Sequence, residues 1–218
     1  MSVLIEAAVD TFAAAERAQT EGAKRIELCG PLRQGGTTPS AGLIARCCEK
    51  LLVSVHVLVR PRTGNFVYSD DEIAIMQKDI ALARELGADG VVTGALTLEG
   101  DVDVARLADL ISVAAPMRVG FHRAFDRVRD QDEALELLVS MQVDHVLTCG
   151  AAGSAIDGAG RLAQLVERAG DRISIIAGGG VRADHVKELV KRTGAHEVHA
   201  RGTEAGTIAA IAKELAAS

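Results

Sequence analysis

The chain has 218 residues and a formal net charge of −6. Its acidic and basic residues are well mixed, without the basic stripe of a nucleic-acid-binding protein. No stretch is long enough for a membrane-spanning helix, and residues 1–10 lack the basic start of a signal peptide. The four cysteines form neither a CxxC pair nor a disulfide-scaffold spacing, so we expect a cytoplasmic protein with free thiols.

Short apolar, β-branched runs alternate with helical patterns along the chain. The runs predict strands at residues 3–9, 24–29, 53–60, 89–93, 117–122, 143–149, 172–177 and 196–200. The spacing of apolar residues predicts helices at about 11–22, 40–51, 70–86, 101–115, 131–141, 155–169, 182–193 and 205–216. Glycines follow four of these helices, which is where helices commonly end; they are Gly22, Gly87, Gly170 and Gly194.

Eight strand–helix units without a linker favour an α/β fold of the closed (β/α)8 type, the TIM barrel, formed as a single domain by residues 1–218. An open doubly wound sheet is the alternative. In a (β/α)8 barrel the functional residues lie at the carboxyl-terminal ends of the strands. The long loops that follow the second and third strands, residues 30–39 and 61–69, are therefore candidates for a lid or a rim.

Alternation along the strands predicts an unusually polar barrel interior. Side chains alternate between the two faces of a strand, and the face towards the outer helices should be apolar. The residues that this rule turns inward are Glu6, Glu27, Cys29, His56, Arg60, His122, Glu197 and His199. A polar interior costs free energy unless its groups pair, so stability alone is a poor explanation for the whole set. For any single member, a buried network that closes the barrel is an equally good explanation.

The remaining histidines, the lysines and a run of glycines are interpreted from their positions along the strands and helices. His145, His185 and His196 lie near the starts of helices or strands, where residues stabilise the barrel, and we assign them no function. No lysine ends a strand, which disfavours a Schiff-base aldolase. The AGGGV run at residues 177–181 is predicted to open onto a helix and to hold an anion there through Gly178, Gly179 and Gly180. A tight turn that needs glycine explains the run equally well.

Seven motifs occur in order over nearly the whole chain. They are RIELCGPLRQGGTTPSAG (25–42), VRPRTGNFVYSDDEI (59–73), DGVVTGAL (89–96), GFHRAFDRVRD (120–130), HVLTCG (145–150), AGGGV (177–181) and EVHA (197–200). Together they resemble the CutC copper-homeostasis family. The resemblance implies a (β/α)8 barrel in the cytoplasm that is linked to copper tolerance, binds Cu(I) and forms a homodimer or a higher homo-oligomer.

The family's functional positions carry over one by one. The residues that match are Glu6, Cys29, Arg60, Arg62, His122, Arg123, Asp126, Glu197 and His199. Ala8 stands where the family often has cysteine, and Cys149 stands where serine is common. Thr63 and Asn65 also depart from the family, and only RGTEAG links the eighth strand to the last helix. Because Cu(I) prefers soft sulfur ligands, the resemblance implies Cys29 as a metal ligand. We expect Cys149 to substitute for the missing sulfur from the opposite side of the barrel, with His122 or His199 as nitrogen donors.

Two functions follow from these patterns. The first is a copper-homeostasis protein that binds a copper ion. The second is an enzyme of the lyase, isomerase or hydrolase type that acts on a small anionic metabolite, for example a phosphorylated one. Its acid–base groups would come from Glu6, Glu27, His122, Glu197 and His199, with Glu27 and His122 foremost. Its anion would be held by Arg60, Arg123 and Gly178–Gly180. A barrel that has lost its activity is a third possibility.

Overall fold

The computed structural model describes residues 3–217, which form a closed barrel of eight parallel strands with eight α-helices around it. The strands are β1 (Leu4–Val9), β2 (Arg25–Leu28), β3 (Ser54–Leu58), β4 (Gly90–Thr93), β5 (Arg118–Phe121), β6 (His145–Thr148), β7 (Ser174–Gly178) and β8 (Glu197–Arg201). Each strand pairs with the next in the sequence, and β8 pairs with β1. The predicted (β/α)8 barrel is confirmed and the open sheet is excluded.

The helices follow the strands as predicted. They are α1 (Phe12–Thr20), α2 (Ala41–Lys50), α3 (Asp70–Glu85), α4 (Val104–Ala114), α5 (Gln131–Ser140), α6 (Ala159–Ala169), α7 (Val186–Thr193) and α8 (Thr207–Ala216). Helix α3 begins at the predicted residue because Ser69 and Glu72 form a capping box there. Helices α6 and α7 begin later than predicted, since turns occupy residues 151–158 and 181–185. Among residues 3–217, no helix is both long and apolar enough to cross a membrane.

The apolar core lies between the barrel wall and the helices. Val57 and Phe121 are fully buried in the same cluster as Leu107 and Leu162 of the helices. Burying one such side chain contributes about 1.5–3 kcal/mol, so this layer supplies most of the hydrophobic stabilisation. The barrel interior differs, because a second, small apolar cluster of Ala8, Cys29, Leu32 and Leu58 shares it with many polar side chains.

Strand register places the inward polar residues at common levels of the barrel. Glu6 of β1 is in register with Arg25 of β2 and with His199 of β8. Glu27 of β2 is in register with His56 of β3. Residues in register on neighbouring parallel strands point to the same face of a sheet. The register therefore agrees with the predicted alternation, and it adds Arg25 to the inward set.

Glycines leave room for imidazole rings inside the barrel. Gly90 is in register with His56, and Gly120 is in register with His145. A Cβ atom on Gly90 would lie 2.8 Å from the His56 ring, and one on Gly120 would lie 2.0 Å from His145 Nε2. His145 starts β6 as expected, but its ring lies buried in the barrel interior, with its centroid 5.3 Å from that of His56. It is part of the interior packing.

The substitution Gly120→Ala tests this packing. It should lower the free energy of unfolding by about 1–3 kcal/mol, because the new methyl group overlaps with the His145 ring and the barrel must shift. Gly160→Ala in α6 is the matched control, since a Cβ atom there meets nothing within 4 Å. Alanine favours the helix, so this variant should be up to about 1 kcal/mol more stable than the wild type. Urea unfolding followed by circular dichroism measures both, and equal stabilities would contradict the packing explanation.

Candidate functional site

A cavity of about 260 Å³ opens at the carboxyl-terminal ends of the strands. We call it the mouth cavity. Its lining residues are Ala8, Glu27, Cys29, Leu32, Gly35, Leu58, Arg60, Phe66, His122, Arg123, Leu147, Gly179, Gly180, His199 and Arg201. The loops predicted to form a rim contribute Leu32, Gly35 and Phe66. The volume suits a small ligand, and the location is where (β/α)8 barrels carry their functional residues.

Arg60 joins the two rim loops. Its Nη1 donates to the carbonyl oxygens of Gly35 and Gly36, each at 3.1 Å, and its Nη2 donates to the Gly64 carbonyl at 2.9 Å. The guanidinium carbon also lies 4.9 Å from the centroid of the Phe66 ring. Arg60 is buried, yet it forms no ion pair within the described part of the chain. The carbonyl groups engage Nη1 and Nη2, whereas the buried Nε has no partner among the described residues and the charge stays uncompensated.

His122 faces the mouth cavity as a neutral hydrogen-bond donor. The backbone N–H of Ala124 donates to His122 Nδ1 at 3.2 Å, so the hydrogen of the neutral ring sits on Nε2. Nε2 is buried and has no partner among residues 3–217. Burial, reinforced by the charge of Arg60, lowers the pKa of His122 to about 3. The ring is therefore suited to donate a hydrogen bond to a ligand, whereas Glu27 and His199 are better placed to exchange protons.

A chain of polar contacts leads from the barrel interior to the mouth cavity. Glu6 accepts hydrogen bonds from Arg25 and from His199 Nδ1, the latter at 2.7 Å. His199 Nε2 lies 3.8 Å from Glu27 Oε2, which in turn lies 3.6 Å from the sulfur of Cys29. Glu6 thus orients the His199 ring so that its second nitrogen points to Glu27 and the cavity.

These contacts decide which groups carry charge. Burial acts to raise the pKa of Glu6, but the hydrogen bond from His199 and the charge of Arg25 outweigh it and hold that pKa well below its ordinary value. Burial acts to lower the pKa of His199, but the contacts with Glu6 and Glu27 raise it. The pKa of Glu27 is raised by burial and by the charge of Glu6. Burial and Glu27 raise the pKa of the Cys29 thiol.

Two of the predicted acid–base residues lie below the mouth cavity. Glu6 and Glu197 are not among its lining residues, and both accept from Arg25. Ser174 Oγ also donates to Glu197 Oε1 at 2.7 Å. Their position makes them positioning residues that hold Arg25 and His199. The predicted inward set did not include Arg25. This residue lies two positions before Glu27 on the same strand, so alternation extended to the start of β2 would have placed it on the inward face.

A separate cluster of metal-ligand types also lies deep in the barrel. Ligand atoms of Glu6, His56 and His145 lie within 4.8 Å of one another. Both oxygens of Glu6 are already engaged by Arg25 and His199. Burial lowers the pKa of His56 to about 4 and that of His145 to about 3, so both rings are neutral. We interpret the two rings as part of the packing of the lower barrel; His56 Nδ1 and His145 Nε2 have no hydrogen-bond partner among the described residues.

Cys149 is held in the loop that follows β6. Arg123 Nη2 donates to its sulfur at 2.9 Å, and Arg123 Nε donates to Asp126 Oδ2 at 2.7 Å. Asp126 also accepts from the hydroxyl of Thr148 at 2.5 Å, which ties the end of β5 to β6. Burial and the charge of Asp126 raise the pKa of the Cys149 thiol. Of the two predicted sulfur ligands, Cys29 lines the mouth cavity and Cys149 does not.

The three glycines after β7 are only partly arranged as predicted. Gly178 ends β7, and Gly179 and Gly180 line the mouth cavity. The predicted junction with a helix is wrong, because residues 181–185 separate Gly180 from the start of α7 at Val186. The glycines therefore contribute no N–H groups to a helix terminus. Their proposed contact with an anion stays a prediction that depends on the loop alone.

Comparison with known proteins gives consistent matches over nearly the whole chain. The model of the CutC family matches residues 3–204. A family protein named CutC from Chromobacterium violaceum is 44% identical over 92% of this chain and 81% of its own length. The copper homeostasis protein cutC homolog of Homo sapiens is 43% identical over 90% of this chain and 72% of its own length. The crystal structure of CutC from Streptococcus agalactiae has a TM-score of 0.87 and 34% identity, and it covers 92% of this chain and 100% of that one.

The substitution Glu6→Gln tests the buried network. At pH 7 it should lower the free energy of unfolding by about 3–5 kcal/mol, because Arg25 and His199 lose the carboxylate that they share. The pKa of Glu6 is lower in the folded than in the unfolded chain, so its stabilisation is present at neutral pH and lost on acidification. The difference in the free energy of unfolding between the variant and the wild type should therefore shrink as the pH falls below 4.5, the ordinary pKa of glutamate.

Glu188→Gln is the control for this substitution. Glu188 forms an exposed ion pair with Arg192, at 3.2 Å, and its loss should change stability by no more than about 0.5 kcal/mol. Urea unfolding at a series of pH values compares the two variants with the wild type. If Glu6→Gln lowered the free energy of unfolding at pH 7 by no more than Glu188→Gln does, the contacts of Glu6 would not be a major source of stability.

Proposed function

The chain belongs to the CutC family, and from this premise we propose that it is a copper-homeostasis protein that binds Cu(I) at the mouth cavity through Cys29. The name of the human relative supports the copper role. The ligand assignment rests on the position of Cys29, the cysteine that lines the mouth cavity. Thiolate sulfur is the ligand type that Cu(I) prefers.

The donor groups at the cavity fit a weak Cu(I) site. Glu27 Oε2 lies 3.6 Å from the sulfur of Cys29 and 3.8 Å from Nε2 of His199. The ligand atoms of these three residues do not all lie within 4.8 Å of one another, so Cu(I) binding by the sulfur and the imidazole nitrogen requires the side chains to move closer together. Ala8 lines the same cavity where the family resemblance predicts a second cysteine. With this sulfur missing, we expect copper to bind loosely and to exchange readily.

Cys149 is the less suitable sulfur ligand. Its thiol contacts Arg123 and the carbonyl oxygen of Ala152, the latter at 3.0 Å. A cation beside the sulfur opposes the approach of a metal ion. A contribution of Cys149 to copper binding would therefore require the loop after β6 to rearrange.

We also propose a cytoplasmic location. All four cysteines are free thiols, which is the usual state in a reducing compartment. Assembly into a homodimer or a higher homo-oligomer stays a prediction that the family resemblance supports, and sedimentation of the purified protein tests it.

The substitution Cys29→Ser tests the ligand assignment. Anaerobic titration of Cu(I) against a chromogenic chelator should show more than about a tenfold loss of affinity, because the serine oxygen is a poor Cu(I) ligand. Cys48→Ser is the matched control, since Cys48 lies in α2 and does not line the mouth cavity. Cu(I) binding that Cys29→Ser leaves unchanged would overturn the assignment.

The pH dependence of copper binding provides an independent check. The thiol of Cys29 must lose its proton to bind Cu(I), and its pKa is raised well above 9.0. Copper therefore displaces a proton throughout the neutral range, and the apparent affinity should rise about tenfold per pH unit from about pH 6 to 8. The apparent affinity should rise more steeply with pH at the acidic end of this range, because there the imidazolium of His199 must also lose its proton. A flat profile would exclude the thiol as a ligand.

A further inference from the structure

The mouth cavity is positively charged in a chain that is acidic as a whole. Its lining contains three arginines, of which Arg123 is paired with Asp126, and a single carboxyl group, that of Glu27. The whole chain, by contrast, has a net charge of −6. A cleft lined by one sign of charge concentrates ligands of the opposite sign.

Arg60 has an uncompensated charge beside this cavity. The side chain is buried, its Nη1 and Nη2 reach carbonyl oxygens rather than a carboxylate, and its Nε has no partner among the described residues. A buried cation without a counter-ion is costly because the interior solvates charge poorly. An anion bound in the cavity would lower this cost. Arg201, at the edge of the cavity, likewise forms no ion pair among residues 3–217, and its Nη2 reaches only the Leu32 carbonyl, at 3.4 Å.

His122 presents a buried donor that lacks an acceptor. The residue is 5% exposed, and its Nε2 has no partner in the part of the chain that the structure describes. Buried donors almost always have a partner, so an unpaired one that borders a cavity marks the place of a ligand. Because Nδ1 accepts from Ala124, Nε2 carries the hydrogen and offers no lone pair to a metal ion. The matching ligand atom is an oxygen acceptor.

We infer that the mouth cavity binds a small oxyanion, the phosphate or carboxylate group of a metabolite, as a function separate from copper binding. An oxygen of the anion accepts from His122 Nε2, and its charge compensates Arg60 and Arg201. The Phe66 ring, whose centroid lies 4.7 Å from that of His122, shields this contact from water. The proposed copper ligand Cys29 follows β2 and the oxyanion donor His122 follows β5, so the two functions depend on different side chains.

Titration of the copper-free protein with inorganic phosphate, and separately with acetate, tests this inference by isothermal calorimetry. The wild type should bind at least one of the two anions. His122→Phe and Arg201→Met should each weaken binding by about 10–100-fold, the usual effect of losing a hydrogen bond to a charged group. His122→Gln should recover part of the loss, because its amide can donate from a position near that of Nε2.

Arg192→Met is the matched control, since Arg192 lies on α7 and forms an exposed ion pair with Glu188, away from the cavity. This variant should bind like the wild type, and thermal unfolding should show that all variants are folded. Tighter binding of phosphate identifies a phosphorylated ligand, and tighter binding of acetate identifies a carboxylate. If neither anion binds, or if the His122 and Arg201 variants bind like Arg192→Met, the inference is overturned. The copper assay uses the Cys29 variant, so either proposal can fail without the other.

Discussion

The carboxylate of Glu6 is the contact on which the barrel interior depends. It accepts from Arg25 on β2 and from His199 on β8, so it joins both neighbours of β1 at the place where the barrel closes. Removing this carboxylate would leave His199 without its hydrogen-bonded counter-ion and Arg25 with Glu197 alone, in a region that solvates charge poorly. The same contact fixes the orientation of His199, whose other nitrogen faces Glu27 at the mouth cavity. The contacts of Glu6 thus serve both the stability of the barrel and the orientation of a side chain at the mouth cavity.

Packing explains how so many polar rings fit inside the barrel. The interior of such barrels is usually filled by branched apolar side chains. Here glycines on neighbouring strands provide the volume, with Gly90 beside His56 and Gly120 beside His145. The rings fill the lower barrel, and the open space lies at the carboxyl-terminal end. A ligand can therefore approach His122, Glu27 and His199 but not the imidazoles beneath them.

Two kinds of chemistry meet in the mouth cavity. Cys29, Glu27 and His199, from β2 and β8, supply sulfur, carboxyl and imidazole groups suited to a metal ion or to proton exchange. Arg60 follows β3 and His122 follows β5; they offer positive charge and a fixed donor suited to an oxyanion. The family relationship supports the first use, and the unpaired donor and uncompensated charge support the second.

The eight strand–helix units and the inward direction of residues such as Glu27 and His199 follow from the amino-acid sequence alone, because periodicity and alternation are local properties of a chain. The same alternation places Arg25 and His145 on the inward face of their strands. The depth of each inward residue, by contrast, emerges from the folded barrel. Glu6 and Glu197 lie below the mouth cavity, Cys149 lies outside its lining, and the Ala124 N–H selects the tautomer of His122. Depth depends on the register between strands that are distant in sequence, and a tautomer depends on a hydrogen bond, so neither follows from residue types and spacing.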